Sequence, residues 1–203
     1  MIRYTVTNSA KFNISMRESF NCSVLIENAL TAQSDIITFF ANPSFLAGSG
    51  ISGIIHKAAG PQLEAAANPF APLTPGQSVI TPAFNLSAKY VIHTVCPRYM
   101  DGQRGESEQI YNACASVLEL HSQAPDAKSI AFVSMGTGVY KWPMGLAADI
   151  AVKALLTSKF EETLMCVIDE KTRLIYQRTL DRGAVLSTTK VTCVFALIPL
   201  SSS

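Results

Sequence analysis

The sequence predicts an α/β fold, with a largely parallel sheet covered by helices on both faces. Three observations carry that expectation. Short apolar or alternating runs of strand length recur along the chain. Stretches of helical composition stand between most of them, an alternation that buries parallel strands under helices. Loops rich in small residues join strand to helix at two places.

The strand-like runs are Ile2–Val6, Ser23–Glu27, Asp35–Ala41, Ser78–Ala83, Lys89–Cys96, Ser129–Val133, Thr163–Ile168 and Val191–Ile198. β-branched and aromatic residues dominate them. Helices are expected over Gly53–Ala66, Gly105–Ser122, Pro143–Ser158 and Glu170–Leu180. Pro143 suits a first helical turn, where its missing N–H costs nothing. Residues 68–76, NPFAPLTPG, read as a Pro-rich surface connection. The first strands and the last apolar run are extra to a simple repeat and are expected to pair at a sheet edge. The chain is read as one domain over 1–203, a length sufficient for a sizeable core.

Composition excludes several classes of function. Hydrophobic residues make up 48% and charged residues 15%, a globular balance. Net charge is +1 and no block of Lys or Arg stands out, so no nucleic-acid partner is expected. The ten-residue apolar stretch at 191–200 is too short to span a bilayer, and the N-terminus lacks the apolar core of a secretory signal. The five cysteines are scattered without a C-x-x-C pair, which reads as buried free thiols in a cytoplasmic or otherwise intracellular setting. No metal site and no cofactor is implied, since the three histidines keep apart from the cysteines except His93 near Cys96.

Residues 47–61, AGSGISGIIHKAAGP, contain Gly48-x-Gly50-x-x-Gly53, the spacing of a dinucleotide fingerprint. The context does not fit one. Gly48 lies well beyond the strand ending at Ala41, and the region about 20 residues on holds neither strand nor acid. The loop still lets a backbone come close to a ligand and offers N–H groups to an anion. Residues 134–143, SMGTGVYKWP, repeat the logic between a strand and a helix. Two such loops at the carboxyl ends of strands suit a diphosphate, with Tyr140 and Trp142 as aromatic surface beside it.

Four segments in register resemble the macrodomains, which bind ADP-ribose: FFANPSFLAGSGISGIIHKAAGP (39–61), SVITPAFNLSAKYVIHTVCP (78–97), GTGVYKWP (136–143) and CVIDEKTRLIYQ (166–177). The match runs from about residue 22 to 182. The resemblance implies a three-layer α/β/α fold with a mixed, mostly parallel central sheet. It implies ADP-ribose or an ADP-ribosylated protein as partner, and a monomer. Asn42 would contact the terminal ribose. Gly48, Ser49, Gly50 and Ile51 would form the first diphosphate loop. Gly136, Thr137, Gly138, Val139 and Tyr140 would form the second, with Tyr140 over the terminal ribose. Asn28, beside Ala29, would accept from the adenine amino group, and Ile168 would pack on the base.

The departures bear on activity. Phe39 stands where the family has its first motif asparagine. Ser52 stands where hydrolases of the MacroD type carry the aspartate that orients the attacking water. A neutral hydroxyl is a much poorer base. The resemblance therefore implies a binder of free or protein-linked ADP-ribose. The alternative is a mono-ADP-ribosyl or O-acetyl-ADP-ribose hydrolase with weak or substrate-assisted activity, Asn42 and Ser52 being its candidate catalytic residues. His56 and His93 fall in apolar segments and read as core or semi-buried. Glu106 and Asp149 read as solvated helix residues, and Lys141 as a surface lysine.

Overall fold

A computed structural model describes residues 21–48, 50–134, 138 and 140–194, with side chains through residue 183. The strands are β1 (Cys22–Ile26), β2 (Ile36–Phe40), β3 (Ser78–Pro82), β4 (Tyr90–Thr94), β5 (Ser129–Val133) and β6 (Glu162–Val167). The helices are α1 (Ile51–Ala59), α2 (Pro61–Ala67), α3 (Glu106–Glu119), α4 (Met144–Leu155) and α5 (Glu170–Val194). The strands form one sheet in the order β1-β6-β5-β2-β4-β3. Every pairing is parallel except β3 with β4 at one edge. The fold is thus the three-layer α/β/α arrangement with a mixed, mostly parallel sheet.

The period of two along each strand sorts side chains between the faces. Ile36, Ile92, Ile130, Phe132, Met165 and Val167 pack with the residues of α3, α4 and α5. Ile37, Phe39, Val91, Ala131, Leu164 and Cys166 pack with α1 and α2 on the other face. Central β2, Ile-Ile-Thr-Phe-Phe, is covered on both faces, and so is continuously apolar apart from Thr38. Thr38 is accommodated because its hydroxyl donates to the Ala131 carbonyl at 2.9 Å. Asp35, just before β2, ties three strand starts together. Its carboxylate accepts the Lys128 and Ser129 N–H groups at 2.8 and 3.2 Å and pairs with Lys89 at 3.1 Å. That knot lies at the amino ends of the parallel strands and leaves their carboxyl ends to the loops.

Three expectations are corrected. The helix expected over Gly53–Ala66 is two helices meeting at Gly60, whose φ of 89° no helix contains. Pro61 opens α2, and a Cβ on Gly60 would stand 2.9 Å from the Asn85 amide nitrogen. The final helix, expected to stop at Leu180, continues to Val194, so the strand expected from Val191 does not begin there. The rest of that run and Ile2–Val6 lie outside the described residues. Glu106 is 3% exposed rather than solvated. Its carboxylate accepts the N–H groups of Met100, Asp101, Gly102 and Arg104 at 2.7–3.3 Å, winding the preceding loop around itself. Burial alone would raise its pKa, but the N–H groups of Arg104, Asp101 and Met100, together with its own, outweigh it and hold the carboxyl at about 2.

Candidate functional site

The loops after β1, β2, β5 and β6 open at the same end of the sheet, where an α/β fold places its ligand. A cleft of about 840 Å³ lies among them. It gathers Asn28 and Ala29 after β1, Gly50 and Ile51 at the start of α1, Gly138 after β5 and Ile168 after β6. All six were candidates from sequence. Asn42, Gly48, Ser52 and Tyr140 are described but do not line this cleft. Ser49, Gly136, Thr137 and Val139 lie outside the described residues.

The first loop is held in shape by its own side chains. Asn42 accepts the Ser44 N–H at 2.9 Å and donates to the Leu46 carbonyl. Its amide is thereby turned into the loop. The Ser52 hydroxyl, 6% exposed, accepts the Gly48 N–H at 3.4 Å. Gly53 packs so closely that a methyl there would collide with the Gly48 carbonyl oxygen, so the loop can sit against α1 only because this residue has no side chain. Gly50 takes a φ of 68° and opens α1 with no side-chain cap and no acid in the first turn. The first N–H groups of α1 are thus left for water or an anion.

The second loop is braced from outside. Tyr140 accepts the Tyr99 N–H at 3.0 Å through its carbonyl. Trp142 donates its indole N–H to the Pro97 carbonyl at 2.8 Å and is 3% exposed. It is therefore core rather than the surface beside the cleft that the sequence suggested. A Cβ on Gly138 would meet nothing within 4 Å, so that position faces open space.

The opposite end of the cleft is walled by exposed isoleucines, has Glu27, Asn28 and Asp169 among its lining, and bears no basic residue. Ile26 and Ile54 are each 51% exposed and Ile168 is 90% exposed, and all three line it. Glu27, Ile54 and Met144 were not singled out from sequence. Ile54 could have been, since it follows Ile51 by three and shares its helix face. Glu27 and Met144 could not, because their direction depends on how β1 ends and α4 begins.

His56 and His93 sit behind the first loop against Phe39, with ring centroids 5.8 and 4.9 Å from it, and do not line the cleft. His93 bonds Thr81 at 3.0 Å, and burial, with His56 adding, pushes its imidazole down to about 3. Burial also lowers His56, against the opposing charge of Glu64. Both rings are neutral core groups at physiological pH. Among the described residues no three His, Cys, Asp or Glu side chains cluster to hold a metal, and no helix is long and apolar enough to cross a membrane.

This architecture is that of a doubly covered, mostly parallel α/β domain with an open cleft between glycine loops. Residues 40–151 match the Macro domain, and the chain belongs to that family. An O-acetyl-ADP-ribose deacetylase of Klebsiella pneumoniae is 41% identical over 166 residues, covering 77% of this chain and 94% of the relative. The Oceanobacillus iheyensis macrodomain solved with ADP is 29% identical with a TM-score of 0.74, over 82% of this chain and 93% of that one. The Trypanosoma brucei macrodomain in complex with ADP-ribose is 26% identical with a TM-score of 0.70, over 78% and 68%.

Proposed function

We propose that the cleft binds ADP-ribose, free or carried on a protein. One observation carries this reading. A single cleft joins two loops of small residues, Gly50 and Gly138, to an apolar end walled by Ile26, Ile54 and Ile168. Open N–H groups at the α1 terminus suit a diphosphate, and the apolar walls suit a base. In this reading the first loop runs through Gly48, Ser49, Gly50 and Ile51, and the second through Gly136, Thr137, Gly138, Val139 and Tyr140. Tyr140 covers the terminal ribose. Asn42 supports that ribose by holding the first loop in shape. The complexes of structurally similar macrodomains with ADP and ADP-ribose support the choice of ligand.

A second reading, hydrolysis of an ADP-ribosyl ester, is favoured by the deacetylase relative. It uses the same cleft, and Ser52 then limits the rate.

Ligand-induced stabilisation tests the binding reading. ADP-ribose at a hundred times its Kd should raise the melting temperature by about 5–10 °C. Gly138→Val should remove that shift while leaving circular dichroism intact, because the new side chain enters open cleft. A shift that survives in folded Gly138→Val would move the ligand elsewhere.

A further inference from the structure

We infer that Arg98 and Lys141 form a docking surface, beside the second loop, for an acidic protein segment that carries the ADP-ribose. This inference rests on the proposed binding of ADP-ribose and deepens it, since it concerns the carrier rather than the nucleotide.

Two stretches of chain lie side by side at this place. The Tyr99 N–H donates to the Tyr140 carbonyl at 3.0 Å, and the Trp142 indole N–H donates to the Pro97 carbonyl at 2.8 Å. The rings of Tyr99 and Trp142 also meet, with centroids 5.0 Å apart. Setting 97 against 142 and 99 against 140 brings Arg98 opposite Lys141. Both residues are exposed. Neither charged head has a hydrogen-bond or ion-pair partner among the described residues. The acids of the adjoining loop are already engaged. Asp101 pairs with Arg104 at 3.3 Å, and the buried Glu106 accepts backbone N–H groups. Two like charges on neighbouring stretches repel each other, and no described acid pairs with either.

The backbone of Lys141 adds a second observation. Its φ is 57°, a conformation that glycine adopts freely and lysine only at a cost. Its N–H donates to the Gly138 carbonyl at 3.2 Å, closing a turn whose first residue lines the cleft. A lysine kept in a strained turn at the cleft rim is accounted for by what its ammonium meets.

Position then decides the occupant. In the proposed reading Tyr140 covers the terminal ribose, and a carrier protein is attached at that sugar. Tyr140 belongs to the same turn as Lys141. A carrier chain leaving the ribose therefore passes the basic pair, whereas the phosphates of free ADP-ribose stay at Gly50 and Gly138. Carboxylates flanking the modified residue supply the anions that this surface lacks. Exposed ion pairs are individually weak, so the pair selects among carriers and speeds encounter more than it adds affinity.

Calorimetry on the full chain tests this with three probes. They are free ADP-ribose and two peptides bearing ADP-ribose through a hydrolysis-resistant linkage, one flanked by aspartates and one by serines. At an ionic strength of about 0.05 M the native protein should bind the aspartate peptide about five- to tenfold more tightly than the serine peptide. Near about 1 M salt the gap should close. Arg98→Ser combined with Lys141→Asn should abolish the gap and leave free ADP-ribose within about twofold of native. Asparagine is chosen because it tolerates a positive φ. Arg98→Glu combined with Lys141→Asp should invert the preference. No gap in the native protein, or a full gap in the folded Arg98→Ser/Lys141→Asn variant, overturns the docking surface while ADP-ribose binding stands. Equal loss of all three probes in that variant would assign the cations to the ligand's own phosphates and overturns it too. Failure of the native protein to bind ADP-ribose overturns the functional reading itself, and the docking surface with it.

Discussion

In the proposed hydrolytic reading, Ser52 stands where a base would be needed. Its hydroxyl is buried against the Gly48 N–H, 3.4 Å away, and does not ionise near neutral pH. A water at the terminal ribose therefore finds no base on this residue. Turnover of O-acetyl-ADP-ribose should be slow in the native protein. Ser52→Asp should raise it by about tenfold or more, the low end for a positioned base. Fast native turnover that Ser52→Asp slows would place the base on another residue. The small residues of the cleft were legible from sequence, because close backbone approach leaves a composition signal at Gly50 and Gly138. Trp142 and Glu106 were misread because burial there comes from contacts distant along the chain or folded back in a loop, Pro97 for one and residues 100–104 for the other.

At the scale of elements, α1 and the first loop form one unit. The Gly53 contact with the Gly48 carbonyl seats the helix on the loop, and Ser52 pins the same glycine through its N–H. Gly53→Ala should push the loop away from α1 and weaken ADP-ribose binding at least tenfold. Stability should fall by about 1–3 kcal/mol, the usual cost of overpacking. Unchanged affinity in titration of that variant would separate the loop from the ligand. Strand positions were legible within a few residues, since β2 and β5 are short apolar runs with turn residues near their ends. The break between α1 and α2 was not, although Gly60-Pro61 spells it. The small, helix-forming residues on either side read as one continuous period. The end of α5 was misread because the apolar run at 191–194 has strand composition yet completes a helix.

At the scale of the whole molecule, two buried titratable groups, His93 and Glu106, oppose acid. His93 is depressed from 6.5 to about 3 by burial. The stability this reflects is complete above pH 6.5, falls as pH drops below that value, and is fully lost below about 3. Glu106, lowered from 4.5 to about 2 by its loop, adds stability present above 4.5 and lost as pH falls through 2. Urea midpoints should therefore fall between pH 7 and 5 through the histidines, and more steeply below 4.5. His93→Gln should flatten the first segment and leave the second. A midpoint independent of pH from 7 to 5 would mean that His93 is solvated. The layered fold itself was readable from alternation of period-two and helical segments. Of the cleft, the two small-residue loops were readable, whereas the walls at Ile26, Ile54 and Met144 were not, because they come from strand and helix ends brought together only by the fold.

The occupant proposed for this cleft is a diphosphate joining a base to an unsubstituted terminal ribose. Calorimetric titration of the native protein with ADP-ribose, AMP and NAD tests it most directly. ADP-ribose should bind at least about tenfold more tightly than either AMP or NAD, a difference of roughly 1.4 kcal/mol or more. AMP lacks the second phosphate and the terminal ribose, and NAD carries nicotinamide where that ribose should be bare. NAD binding tenfold more tightly than ADP-ribose, or AMP matching it, would contradict the account.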